Sequence, residues 1–317
     1  MKINPFRRIL AGSSALVAAT GVALGEVYVL SHGDLRVEIE VAASRHQAEF
    51  GPRFDRTAVV RSVAVNGIEF LGAWGLPDEF GLYGNGVLGY ETAAVGDHFV
   101  KIGVGALVRD TTEAYHFAHP YPVRTMFPVR IQAGERQFTI HQDSDPTLPQ
   151  RYHYRKTYTL GEDNVLTITY NLENTGDDAW TFEHYNHHWF SLQGVAVGPP
   201  YRAVTGFELP AVETQFMVTR NSLQMAAPLR PGEAAYYASD LPGATSSTNR
   251  FELSVGEVPI LRYGGSFSPA RFALYASEEG FCPEVFKRAS LQTGEAATWS
   301  ATYRFTEPSR PVPRKRK

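Results

Sequence analysis

Two segments concentrate the side chains that can do chemistry. Glu183-His184-Tyr185-Asn186-His187-His188-Trp189-Phe190-Ser191-Leu192 holds three of the chain's ten histidines beside an amide and large aromatics. A buried imidazole needs hydrogen-bond partners and changes charge near neutral pH, so this density belongs to a polar cleft rather than an apolar core. On a strand running from Trp180 to Leu192, His184, Asn186 and His188 share one face, and Tyr185, His187 and Trp189 share the other. Further along, Glu284 stands in Glu278-Glu279-Gly280-Phe281-Cys282-Pro283-Glu284-Val285-Phe286. Apolar neighbours raise a carboxylate's pKa and turn it into a useful base near neutral pH. Zinc is the competing chemistry for the histidines, but no third ligand stands at a diagnostic spacing, and the single cysteine, Cys282, excludes both an internal disulfide and a cysteine cluster. Neither a metal nor a cofactor is expected.

The elements that must position these groups are strands. From Glu26 onward, short runs rich in Val, Ile, Thr, Tyr and Phe recur between Gly, Pro, Asn and Asp, and no stretch sustains a helical apolar stripe. Predicted strands are Val27 to Leu30, Leu35 to Val41, Ala58 to Val65, Gln137 to His141, Tyr152 to Leu160, Val165 to Leu172, Phe251 to Val255 and Thr298 to Phe305. The aromatics of Tyr152 to Leu160 fall on even positions, the mark of a half-buried strand, and Gly161-Glu162-Asp163-Asn164 turns it into the next as a hairpin. No linker, charge run or repeat divides residues 26 to 306, which reads as one all-β domain, a large β-sandwich.

The ends differ from the body. Met1 to Arg8 is basic and Ile9 to Leu24 is small and apolar, the pattern of a secretory signal over residues 1 to 25, too short for a stable membrane span. Arg7-Arg8 loosely suggests twin-arginine export. The expected location is therefore periplasmic or extracellular. Residues 1 to 25 carry +3 and the tail from Arg310 carries +5, so in a chain of formal charge −3 the body stands at −11. That charge disfavours a phosphate-gripping surface, and nucleic acid is not an expected partner. Residues 307 to 317 read as a solvated basic tail.

Asn186-His187-His188-Trp189-Phe190-Ser191-Leu192 resembles the Asn-His-x-aromatic-Phe-Asn-Leu motif of the aldose 1-epimerases, the galactose mutarotases. Phe281-Cys282-Pro283-Glu284, then Leu291-Gln292-Thr293-Gly294-Glu295 and a strand ending Tyr303-Arg304-Phe305, is similar to that family's closing segment. Gly51-Pro52-Arg53-Phe54-Asp55-Arg56 before Val59 to Val65 is loosely similar to its glycine-led opening strand. The family's Asn-x-Arg and His-Gly-Gly segments have no clean counterpart; Asp78 to Gly86 and Phe99 to Gly105 stand in their region. The resemblance implies a divergent member with the family's β-supersandwich and a sugar-binding cleft.

It also implies His187 as the acid and Glu284 as the base of sugar ring opening, which needs a proton taken from the anomeric hydroxyl and one given to the ring oxygen, with the two groups facing each other across the ring. A mono- or oligosaccharide is the expected partner. Candidate sugar contacts are Arg53, Glu79, Lys101, Asn186, His188 and Trp189, with Tyr185 and Phe281 as further aromatic surfaces. Two other functions fit the same segments. A polysaccharide lyase would use a His or Tyr on a uronate beside Arg53, Arg56, Lys101, His116 or His119. A non-catalytic carbohydrate-binding protein would keep the cleft alone.

Overall fold

The computed structural model describes residues 17–20, 25–41 and 51–308. The rest of the predicted signal and the tail from residue 309 lie outside the described residues. Among the described residues the regular elements are β-strands, and no helix is long and apolar enough to cross a membrane.

The hairpin forms as its sequence pattern requires. Tyr152–Gly161 and Val165–Asn174 pair antiparallel, from Tyr152 opposite Asn174 to Gly161 opposite Val165. Asp163 and Asn164 at the tip both adopt φ of 56°, a left-handed conformation that Asp and Asn tolerate better than most residues. Tyr152, Tyr154, Tyr158 and Leu160 turn inward together, and Lys156 sits on that same buried face.

This hairpin lies in an 11-stranded antiparallel sheet. On one side follow Gln137–Asp143, Val129–Ala133 and the edge strand Val17–Thr20; on the other follow Ala296–Phe305, Val258–Gly265 and Arg250–Val255. A 5-stranded sheet, in the order Ala235–Asp240, Arg271–Ala276, Phe281–Leu291, Trp180–Asn186 and Asp78–Phe80, packs against it. Phe182 meets Trp299 at 5.3 Å between ring centroids and Phe80 meets Tyr154 at 5.4 Å, which joins the two layers. One apolar cluster runs from Tyr28 to Phe305 through the interface, and its burial is the main force holding the layers together. Two smaller antiparallel sheets flank this sandwich. One contains His98–Lys101, which carries a buried lysine toward the site.

Candidate active site

The site is built on the outward face of the 5-stranded sheet. Glu284 lies opposite Ala273 and Cys282 opposite Tyr275 across one strand pair, while Tyr185 lies opposite Glu79 across another. Opposed residues in an antiparallel pair project to the same side, so register alone gathers Glu79, Tyr185, Cys282 and Glu284. The strand expected from Trp180 to Leu192 ends at Asn186. Beyond it the backbone is held by His187 N–H donating to Pro77 O at 2.8 Å and Trp189 N–H donating to Gly75 O at 3.1 Å. The separation into two faces nevertheless persists to Trp189, as the side-chain contacts below demonstrate.

His187 Nε2 lies 3.5 Å from Glu284 Oε1. The Cys282 thiol donates to the same carboxylate oxygen at 3.5 Å, and its Sγ is 3.6 Å from His187 Nδ1. Burial pushes the Glu284 carboxyl up to about 8; the nearby Arg53 charge opposes that rise and Glu79 adds to it. Burial likewise raises the Cys282 thiol, and Glu284 adds to the effect. Trp74 and Trp189 stack at 4.4 Å, and His187 lies nearly parallel to both, with Phe54 edge-on at 5.3 Å. The Trp189 indole is admitted by two glycines, since a Cβ at Gly72 or Gly280 would lie 2.6 or 2.5 Å from its atoms. Trp74 carries no motif signature and was not among the sequence candidates.

Beside this pair stands a charged cassette. Arg53 Nε donates to Glu79 Oε2 at 2.9 Å and Arg53 Nη2 donates to Tyr185 OH at 3.1 Å, while Tyr185 OH closes the triangle by donating to Glu79. The guanidinium is also sandwiched between the rings of Phe54 at 4.6 Å and Phe117 at 4.5 Å. Burial works against the Arg53 charge, but Tyr185 and Glu79 outweigh it and strengthen its hold on the proton. Lys101 Nζ donates to Tyr115 OH at 2.7 Å; burial lowers the ammonium to about 8, with Glu79 opposing and Arg53 assisting the shift. Glu79 is fully buried, yet its Oε1 has no hydrogen-bond partner, and neither has Trp189 Nε1. Buried polar atoms are nearly always paired, so these two leave the hydrogen-bonding set around the pair incomplete.

The other face of the histidine segment is committed to structure. Asn186 Nδ2 donates to Asp78 and to Tyr170 OH, and His184 Nε2 donates to Asp78 at 3.2 Å while its Nδ1 accepts from Trp299 at 3.2 Å. Lys156 spends all three ammonium protons on Asp55, Asp78 and Ala58 O, at 2.8, 2.7 and 2.7 Å. Burial opposes ionisation of Asp78, but Lys156 and His184 prevail and hold its carboxyl well below the usual range. His188 is fully buried: Nδ1 donates to Pro283 O and Nε2 accepts from Tyr303 OH at 2.8 Å, and burial lowers its pKa to about 4, which keeps it neutral. The structure thus brings His187, Glu284, Arg53, Glu79 and Trp189 together with Lys101 nearby. It places Asn186 beside Asp78 and Tyr170 and His188 between Pro283 O and Tyr303 OH, in the interior instead of at a sugar.

No protein-family profile matches the chain, and no curated protein matches its sequence. Solved structures do match its fold. A galactose mutarotase-like protein from Lactobacillus casei superposes with a TM-score of 0.57 at 12% identity, over 88% of this chain and 100% of that one. A galactose mutarotase related enzyme from Lactobacillus acidophilus gives 0.55 at 12%, over 89% and 97%. An aldose epimerase homologue from C. elegans gives 0.54 at 13%, over 91% and 99%. The chain has the galactose mutarotase-like sandwich, in a form far removed in sequence from these structures, as the resemblance of its motifs implied.

Proposed function

We propose that the protein is a sugar mutarotase, an aldose 1-epimerase-type isomerase that opens and recloses a sugar ring with His187 and Glu284. The observation that carries this reading is the 3.5 Å contact between His187 Nε2 and Glu284 Oε1 beside the Trp74–Trp189 stack. The two groups stand side by side, not across a ring as the sequence argument pictured. Adjacency suits the chemistry, because the anomeric and ring oxygens are bonded to one carbon and a pair one contact apart can serve both.

Glu284 in its carboxylate form takes the anomeric O–H proton while protonated His187 gives one to the ring oxygen; the C1–O5 bond breaks and C1 becomes a carbonyl. Rotation about C1–C2 presents the other carbonyl face. The ring hydroxyl then attacks C1, returns its proton to His187, and the anomeric oxygen recovers one from Glu284. The pair ends as it began. Because burial favours the protonated Glu284 carboxyl, the ready state forms when that proton passes to the His187 imidazole.

Arg53 is committed to Glu79 and Tyr185 and offers no free cradle for a uronate carboxylate, which favours this reading over a lyase built on it. Arg56 Nη2 donates to Gly51 O at 2.5 Å. The test is anomer exchange by NMR over a panel of sugars. Glu284→Gln and His187→Asn should each slow it by about 100-fold, roughly 2.7 kcal/mol of barrier, and the double variant should lose far less than the product. Wild-type turnover by Glu284→Gln on an active sugar refutes the assignment.

A further inference from the structure

We propose that His187, Cys282 and Glu284 form a buried binding site for one thiophilic divalent cation, zinc above all. Among the described residues these three make the one group whose donor atoms converge, one from each residue lying within 4.8 Å of the other two. Cys282 Sγ stands 3.5 Å from Glu284 Oε1 and 3.6 Å from His187 Nδ1. Zinc bonds of about 2.3 Å to sulfur and about 2.0 Å to nitrogen or oxygen, at a tetrahedral angle, set sulfur about 3.5 Å from either neighbour. The sulfur-centred separations therefore already suit the ion, and the imidazole need only settle on one of its nitrogens.

The donor set decides which cation fits. One thiolate, one imidazole and one carboxylate suit zinc or cadmium, whereas magnesium and calcium demand oxygen shells that this apolar, aromatic-walled site does not offer. Cys282 binds as the thiolate, so the entering cation replaces the thiol proton, which leaves to solvent; binding tightens as pH rises. Three protein ligands leave a fourth tetrahedral position for a water molecule. The set is hidden in the sequence because the cysteine and glutamate stand two residues apart on a strand distant in sequence from the clustered histidines.

Binding does not depend on the mutarotase reading, but its consequence does. A bound cation occupies the lone pairs that the acid and base need, so zinc should act as a reversible inhibitor and chelators should restore turnover.

Cadmium chloride titrated into the full chain tests the site directly. Cys282 is the sole cysteine, so an ultraviolet sulfur-to-cadmium charge-transfer band reports this position and no other. We expect the band to saturate at one equivalent and to vanish in Cys282→Ser. Zinc affinity by calorimetry should weaken more than about 10-fold in both Cys282→Ser and Glu284→Gln, since even outer-shell losses reach that size. No band in the wild type under excess cadmium overturns the site, whatever the variants do, as does unchanged zinc affinity in a folded Cys282→Ser. Tight zinc binding that leaves anomer exchange untouched would also overturn the assignment to these residues. A protein that binds cadmium as described but turns over no sugar would refute the mutarotase reading and leave the site standing.

Discussion

Lys156→Met should cost the protein about 4 kcal/mol at neutral pH, and the loss should shrink in acid. Lys156 and Asp55 are fully buried and Asp78 nearly so, and the ammonium satisfies both carboxylates at 2.8 and 2.7 Å. Methionine fills similar volume but removes the cation, and breaking one side of a buried ion pair costs about 3–5 kcal/mol because the stranded charge has nowhere to go. Asp78 keeps its bonds from Tyr170, His184 and Asn186, which argues for the middle of that range. For a chain of this size the melting temperature should fall by roughly 10 °C.

The sign of the pH effect follows from Asp78. Its folded pKa is depressed, so in the wild type its contribution is present above the ordinary carboxylate pKa and is lost as pH falls through the folded value. Without Lys156 the buried carboxylate takes up a proton far more readily, which relieves the variant as pH falls toward about 5. Urea unfolding of both proteins at about pH 7.5 and about pH 5 measures the two gaps. A loss under about 1 kcal/mol, or a gap that does not change with pH, would mean that this cluster does not carry the charge assigned to it. Adding Asp55→Asn to Lys156→Met should recover part of the stability, since one stranded charge goes with the carboxylate.

In chelator-treated protein, anomer exchange should fall as pH rises through about 8, where Glu284 no longer holds the proton it passes to His187; a rate that keeps rising past that pH contradicts the shared-proton mechanism. The same group should destabilise the fold as pH rises, because its folded pKa exceeds its ordinary value of 4.5: its stabilising contribution is complete below 4.5 and fades by about 1.4 kcal/mol per pH unit up to about 8. Urea midpoints of wild type and Glu284→Gln should therefore converge or cross with pH instead of running parallel. Gly280→Ala drives a methyl to 2.5 Å from the Trp189 ring, so it should cost about 1–3 kcal/mol and shift tryptophan fluorescence as the indole leaves His187. Unchanged emission and stability would show that the close approach is not a constraint.

How much of this was legible beforehand depends on whether a feature is local. The alternation of Tyr152 to Leu160 announced its strand, its hairpin partner and its buried face, because a period of two is written in adjacent residues. It also contained a warning: Lys156 stands in phase with Tyr152, Tyr154 and Tyr158, and a lysine on a buried face requires buried anions. Asp55 and Asp78, its partners, are 101 and 78 residues away, and nothing in their own neighbourhoods points to it.

The same distinction runs through the site. The histidine segment and Glu284 stood out from their surroundings, the choice of His187 within it came from the family resemblance, and the division of the segment into two faces survived even though the strand stops at Asn186. Asn186 and His188 had the right chemistry for sugar but lie on the interior face. Alternation put them with His184 on one face without saying which face is interior, and the packing of Asp78, Tyr170 and Tyr303 against that face decides it. Cys282 and Trp74 were missed for the opposite reason, being unremarked locally and significant only once Trp74 stacks on Trp189 and Cys282 shares a face with Glu284. A strand that alternates correctly thus separates its two faces, while which face holds the site, and which groups complete the chemistry, follow from register with strands the sequence does not reveal.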